Sequence, residues 1–182
     1  MRYQPSTERG FSLIEVCIAT SVLAVGLLAT AGVLATGMQK LSSSPSDVIA
    51  TQKAAEAIES VFSARDSHKL TWAQLQNVHG ASGNDGGVFL DGPQPLKLEG
   101  ADGILNTADD TTVETMTLPG PDQKIGTADD QIVTLSGYTR EIMIRTVPNE
   151  NGALRSVTVT IVYQSGSTTK TYALMTYISN YS

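Results

Sequence analysis

The sequence is poor in the residues that build the commonest catalytic and covalent devices. It has one cysteine, Cys17, so an intramolecular disulfide is excluded and the fold must hold by packing or by a metal. Its two histidines, His68 and His79, have no second histidine, cysteine or glutamate at helical ligand spacing, which argues against catalytic zinc. No nucleophile elbow and no glycine-rich phosphate loop ahead of a helix are present, so nothing points to an enzyme. Basic residues are scarce, 12 against 18 acidic ones, for a net charge of −6. That balance argues against nucleic acid as a partner, because duplex binding depends on neutralising phosphates.

What remains is an ordered composition, 41% hydrophobic and 16% charged, with room for one domain and an appended segment. The charge is uneven. Residues 85–130 carry ten acidic residues against Lys97 and Lys124 alone, so one segment accounts for the acidity and the rest of the chain is slightly basic.

Residues 16–39 contain no charged side chain and no proline. As a helix they would reach roughly 36 Å, enough to cross a hydrocarbon core of about 30 Å. Val22, Leu23, Val25, Leu27 and Leu28 surround the axis, which suits lipid or a bundle interior. Gly26, Gly32 and Gly37 would allow neighbouring helices to approach closely. Arg2 and Arg9 precede the run, which predicts a cytoplasmic amino terminus. A cleaved secretory signal would have a shorter apolar core followed by small residues, and a plain signal anchor would need no acid. Neither accounts for Glu15, a carboxylate just inside the apolar segment, where a charge needs a partner or a task. Its competing interpretation is a carboxylate that snorkels to the interface. Cys17 fits a small lipid-facing residue better than a redox or lipidated one.

The stretch GFSLIEV, residues 10–16, resembles the processing site of type IV pilins and pseudopilins: a short basic leader ending in glycine, then phenylalanine, then a glutamate at the fifth mature position. Within that family the following SVLAVGLLATAGV is most similar to PilV-type minor pilins, with type II secretion minor pseudopilins close behind. The resemblance covers roughly residues 9–37. It implies a leader at 1–10, cleavage between Gly10 and Phe11 by a prepilin peptidase, and N-methylation of Phe11. It implies a filament-core helix at 11–39 and other pilins or pseudopilins as partners, together with an inner-membrane assembly platform. The precursor would span the inner membrane once, before assembly into a periplasmic or extracellular filament. In such an assembly Glu15 would meet the freed amine of an adjoining subunit. The sequence departs from many family members in lacking a mid-helix proline. A membrane-anchored, calcium-dependent adhesin or binding module is the alternative from another class.

Beyond the run, LSSSPSD (41–47) predicts a break, because Pro45 disfavours helix at Ser44 and Ser46 or Asp47 would cap a new start. An amphipathic helix is expected to end near 66, with Ala50, Ala54, Ile58, Val61 and Phe62 on its buried face and Lys53, Glu56 and Glu59 on the other. The head, 67–182, is expected to be β-rich, with strands at 138–147, 155–164 and 169–179 joined by NENG and SGS turns. A fourth strand should come from the middle region. In the central segment Val157, Val159, Ile161 and Tyr163 alternate with Thr158 and Thr160. The expected class is therefore α+β: a pilin fold, with a long amino-terminal helix packed on an antiparallel sheet.

The acidic middle holds an internal repeat. GADGILNTADD (100–110) and GPDQKIGTADD (120–130) align without a gap, and each precedes a short β-forming stretch. Asp102, Asn106, Asp109 and Asp110, with Asp122, Asp129 and Asp130, are candidate oxygen ligands for Ca²⁺, although no glutamate closes an EF-hand loop. The alternative is a pair of solvated turns in which aspartates cap the backbone. SGNDGG (82–87) and Asp91-Gly92 are expected to be flexible rather than ligating, and Trp72 belongs either to the core or to the head surface.

Overall fold

The structure, a computed structural model, describes residues 12–79 and 86–181, with the side chains of 39–44 left out. Helix α1 (Leu13–Asp66) is followed by β1 (Gln94–Pro95), β2 (Thr115–Leu118), β3 (Gln131–Thr134), β4 (Tyr138–Thr146), β5 (Leu154–Ser165) and β6 (Thr168–Ser179). The chain divides into two compact units, Met1–Ser42 and Ser43–Ser182. The mixed α+β class expected from the sequence is present.

In the first unit, Leu13–Met38 is long and apolar enough to cross a membrane, with a mean hydropathy of 2.2 and no residue of that window buried. Its hydroxyl groups do not spoil it for lipid. Thr20 donates to the Val16 carbonyl at 2.9 Å, Ser21 to Cys17 at 2.7 Å and Thr36 to Gly32 at 2.8 Å, so each polar group is satisfied within the helix.

The predicted break at 41–47 is not a helix end. Pro45 lies inside α1, where it lacks the N–H that would bond the Leu41 carbonyl. The Asp47 carboxylate, expected to cap a new helix, is taken instead by the sheet: Tyr163 Oη donates to it at 2.8 Å and Lys170 Nζ lies 2.9 Å away. The composition change still marks something, since the boundary between the two units falls at Ser42 and Ser43.

In the second unit four strands form one antiparallel sheet in the order β1-β4-β5-β6, and β2 pairs with β3 in a separate hairpin. The three long strands are the expected meander. The further strand, β1, contributes only Gln94 and Pro95 against Arg140 and Thr139. Register places Ile142 opposite Val159 and Ile144 opposite Val157, while Val159 faces Leu174. Val157, Val159 and Ile161 are fully buried on the predicted face. From α1, Ala50, Ala54, Ala57, Val61 and Ala64 enter the same core, at alternating steps of four and three residues. Four of these five are alanine, which lets the helix backbone lie close to the sheet. Ile58 and Phe62 are only partly buried and flank this row.

Two polar side chains complete the sheet. Asn77 is 2% exposed and acts as a surrogate strand residue beside β4: its Nδ2 donates to the Ile142 carbonyl at 2.8 Å, and its Oδ1 accepts from Ile144 N at 2.8 Å. Arg155 donates to the carbonyls of Trp72 and Leu75, and its guanidinium lies 4.3 Å above the Trp72 ring. Trp72 Nε1 donates to Gly152 O at 2.8 Å, so this half-buried tryptophan pins the segment after α1 to the β4–β5 turn.

Candidate functional site

Gly10 and Phe11, the expected cleavage and methylation positions, lie outside the described residues. Glu15 lies within them, in the first turn of α1, with its N–H donated to the Ser12 carbonyl at 3.0 Å. It is exposed, and among the described residues it has no ion-pair partner. Around it Leu13, Ile14, Val16 and Ile18 are all at least half exposed. A single carboxylate therefore stands on a lipid-compatible surface. At Gly26, Gly32 and Gly37 an added Cβ would meet nothing within 4 Å, so these positions are open to a neighbour.

The two acidic repeats fold alike, and this can be followed bond by bond. Asp102 Oδ1 accepts from Ile104 N at 2.8 Å, as Asp122 Oδ1 does from Lys124 N at 2.9 Å. Asp110 Oδ2 accepts from Asn106 N at 2.6 Å, and Asp130 Oδ2 from Gly126 N at the same distance. Thr107 Oγ1 donates to Asp109 Oδ1 at 2.7 Å, matched by Thr127 Oγ1 to Asp129 Oδ1 at 2.7 Å. Gly100 and Gly120 are required by close approach, since a Cβ at either would come within 2.3 Å of the Asp109 or Asp129 carboxylate. Left-handed backbone falls at equivalent places, Gly103 with Gln123 and Asn106 with Gly126.

In these bonds the aspartates cap and turn the backbone. Among the described residues no three His, Cys, Asp or Glu side chains converge as a metal ion requires. Thr107 and Thr127 hold the carboxyls of Asp109 and Asp129 below the usual value. Burial pushes Asp110 above it, against the N–H groups of Asn106, Gly100 and Thr107. The calcium candidates Asp102, Asn106, Asp109 and Asp110 thus belong to one loop and Asp122, Asp129 and Asp130 to its twin, with separate bonding in each. Asn106 is additionally tied to Leu90, whose carbonyl accepts from its Nδ2 at 3.2 Å.

The loops differ in their surroundings. In the first, Ile104, Leu105, Asn106, Thr107 and Asp110 are buried, and Leu105 N donates to Ser60 Oγ of α1 at 3.1 Å. The second lies at the tip of the β2–β3 hairpin and is exposed from Pro121 to Asp129.

Sequence reasoning placed Lys53, Glu56 and Glu59 on the face away from the core; Glu59 is exposed and the Glu56 side chain 40% exposed, but Lys53 is drawn inward to 16%. Lys53 Nζ lies 2.7 Å from Glu56 Oε2 and 2.7 Å from Glu114 Oε2, the latter an ion pair outside hydrogen-bond angles. Glu114 Oε1 in turn accepts from the fully buried Arg140 at 3.2 Å, and Arg140 also donates to the Lys97 carbonyl. The alternation of Arg140 with Ile142 and Ile144 was a signal that this arginine faces inward. Its partner, 26 residues earlier in a loop, carried no such signal. Beside this group a groove of about 380 Å³ opens between α1 and the loop residues 98–105, lined by Glu56, Glu59, Ser63, Leu98, Glu99 and Leu105 among others.

Compared with protein-family models, with curated proteins and with solved structures, the chain finds no match in any of the three.

Proposed function

We propose that this chain is a minor pilin, a structural subunit that is clipped by a prepilin peptidase between Gly10 and Phe11 and assembles through its amino-terminal helix. The observation that carries the proposal is Glu15: a carboxylate without an ion pair among the described residues, at the start of an otherwise apolar, exposed segment, Leu13–Met38, of membrane-spanning length. Cleavage ahead of Phe11 would free a cationic amine. In a filament interior that amine and Glu15 of an adjoining subunit would form a pair, replacing two separate buried charges. Such a pair adds little net stability but penalises every register in which the charges fail to meet. Before assembly the helix would anchor the chain in the inner membrane with residues 1–10 in the cytoplasm. Mass spectrometry of the protein isolated from its native envelope is expected to give a mature chain that begins at N-methylated Phe11. Recovery only of a chain that retains Gly10, or of one cut after the apolar run, would overturn this assignment.

A further inference from the structure

Of the six asparagines in the chain, only Asn151 precedes a glycine. The pair lies in the turn between β4 and β5, with the Asn151 side chain exposed. The backbone is left-handed at both residues, φ 49° at Asn151 and 74° at Gly152, a region that asparagine and glycine enter more readily than other residues. The turn is closed by other groups. Ala153 N donates to Glu150 O at 2.8 Å, Val147 N donates to Leu154 O at 3.0 Å, and Gly152 O accepts from Trp72 Nε1 at 2.8 Å. Among the described residues neither the Asn151 carboxamide nor the Gly152 N–H makes a hydrogen bond. Asn77 and Asn106, by contrast, are buried and bonded through Nδ2. A backbone amide nitrogen and a carboxamide carbon on consecutive residues are therefore both free, with no Cβ on Gly152 to crowd their approach.

We propose that Asn151-Gly152 is a self-modification site, converting without an enzyme through a cyclic succinimide to aspartyl and isoaspartyl forms, and that the isoaspartyl form loosens the Trp72 anchor. Hydroxide takes the Gly152 N–H proton, and the nitrogen attacks Asn151 Cγ. The N–Cγ bond forms, the Cγ–Nδ2 bond breaks, and Nδ2 takes a proton from water and leaves as ammonia. Water then opens the ring. Addition at Cγ breaks the new bond and gives aspartate; addition at the Asn151 main-chain carbonyl carbon breaks the original peptide bond and gives isoaspartate. Either product carries a carboxylate where the amide was neutral. In isoaspartate the chain runs through Cβ and Cγ and is one carbon longer, immediately before the residue whose carbonyl holds Trp72 Nε1. The extra carbon falls inside the turn that Ala153 N closes on Glu150 O, so the turn and the anchor cannot both keep their geometry. The site lies in the head and does not rest on the membrane-helix assembly proposed above.

A time course of the purified full-length chain at neutral and mildly alkaline pH, read by tryptic digestion and mass spectrometry, tests the site. Cleavage after Arg145 and Arg155 releases a peptide that also contains Asn149, an internal control. The expected result is amide loss at Asn151 at least tenfold faster than at Asn149 or Asn180, both exposed, and a rate that rises with hydroxide concentration. An isoaspartyl methyltransferase should label the product, and the rate should lie within threefold of that in a free peptide of residues 146–155. Trp72 is the sole tryptophan and reports the anchor. Its emission should shift as isoaspartate accumulates, whereas Asn151→Asp, which supplies the charge without the extra carbon, should keep the spectrum of the fresh chain. Retention of the Asn151 amide while the free peptide loses its own, equal loss at Asn149, or isoaspartate that accumulates with unchanged emission would each overturn the proposal.

Discussion

At the scale of single residues, the head is organised by charges that its hydrophobic pattern does not announce. Arg140 occupies an inward register position between apolar neighbours and is neutralised by Glu114, itself 2% exposed and bridged to Lys53. Removing one partner of a buried pair leaves the other uncompensated. Glu114→Gln is therefore expected to destabilise the head by about 3–5 kcal/mol in denaturant unfolding, whereas Glu59→Gln, exposed and without an ion pair among the described residues, should stay within about 0.5 kcal/mol. Equal effects would contradict the buried-pair account. The same scale sets the alkaline limit. Burial, then the hydrogen bond to Asp47, pushes the Tyr163 phenol up to about 12. Burial alone would lower Lys53, but its ion pairs with Glu114 and Glu56 outweigh that and hold it above its ordinary 10.5. Both groups have folded values above their unfolded ones. For Tyr163 the stabilisation is thus complete below about pH 10 and is lost as pH rises through about 12, and Lys53 loses its own contribution in the same alkaline direction. Melting temperature should fall across that window, and Tyr163→Phe should make the fall shallower.

At the scale of elements, the legible parts were those whose signal is local. Strand β5 follows from the period-two alternation of Val157, Val159, Ile161 and Tyr163, and the buried row of α1 follows from its four-three spacing. The break at Pro45 did not materialise, and Asp47, a cap candidate in the sequence, instead has Tyr163 and Lys170 as partners more than a hundred residues away. Lys53 was misplaced for the same reason, its partner Glu114 being remote in sequence. The acidic repeats were legible as repeats but not in purpose: composition alone fits both a cation site and a pair of capped turns. The hydrogen bonds favour the turns, because a cation would compete with backbone N–H groups already held by Asp110 and Asp130. Chelator treatment of the purified full-length chain is accordingly expected to leave its melting temperature unchanged. A rise on adding calcium that the chelator reverses would return these loops to the metal assignment.

At the scale of the whole molecule, two kinds of surface are left for other molecules to cover, and they call for different chemistry. The Leu13–Met38 segment offers an apolar wall, which lipid satisfies as well as protein does, so apolar contact alone cannot choose between staying in a membrane and entering an assembly. In the proposed assembly Glu15 would break that tie. Facing lipid, its charge is costly; facing a cationic amine from a neighbouring subunit, it is matched, and the matching amine is left stranded if the acid is absent. Glu15→Gln keeps size and removes charge, so the variant should still insert in the membrane and its head should melt at the unaltered temperature. In cells that also make the unaltered chain, an uncompensated amine worth about 3–5 kcal/mol corresponds to a bias of at least a hundredfold against the variant in assembled material. The ratio of variant to unaltered chain, measured by mass spectrometry in sheared filaments and in the membrane fraction, reads that bias directly. Depletion from filaments with normal membrane abundance is the expected outcome. Equal ratios in the two fractions would mean that Glu15 merely snorkels, and that selection of the assembled state belongs to the head surfaces instead.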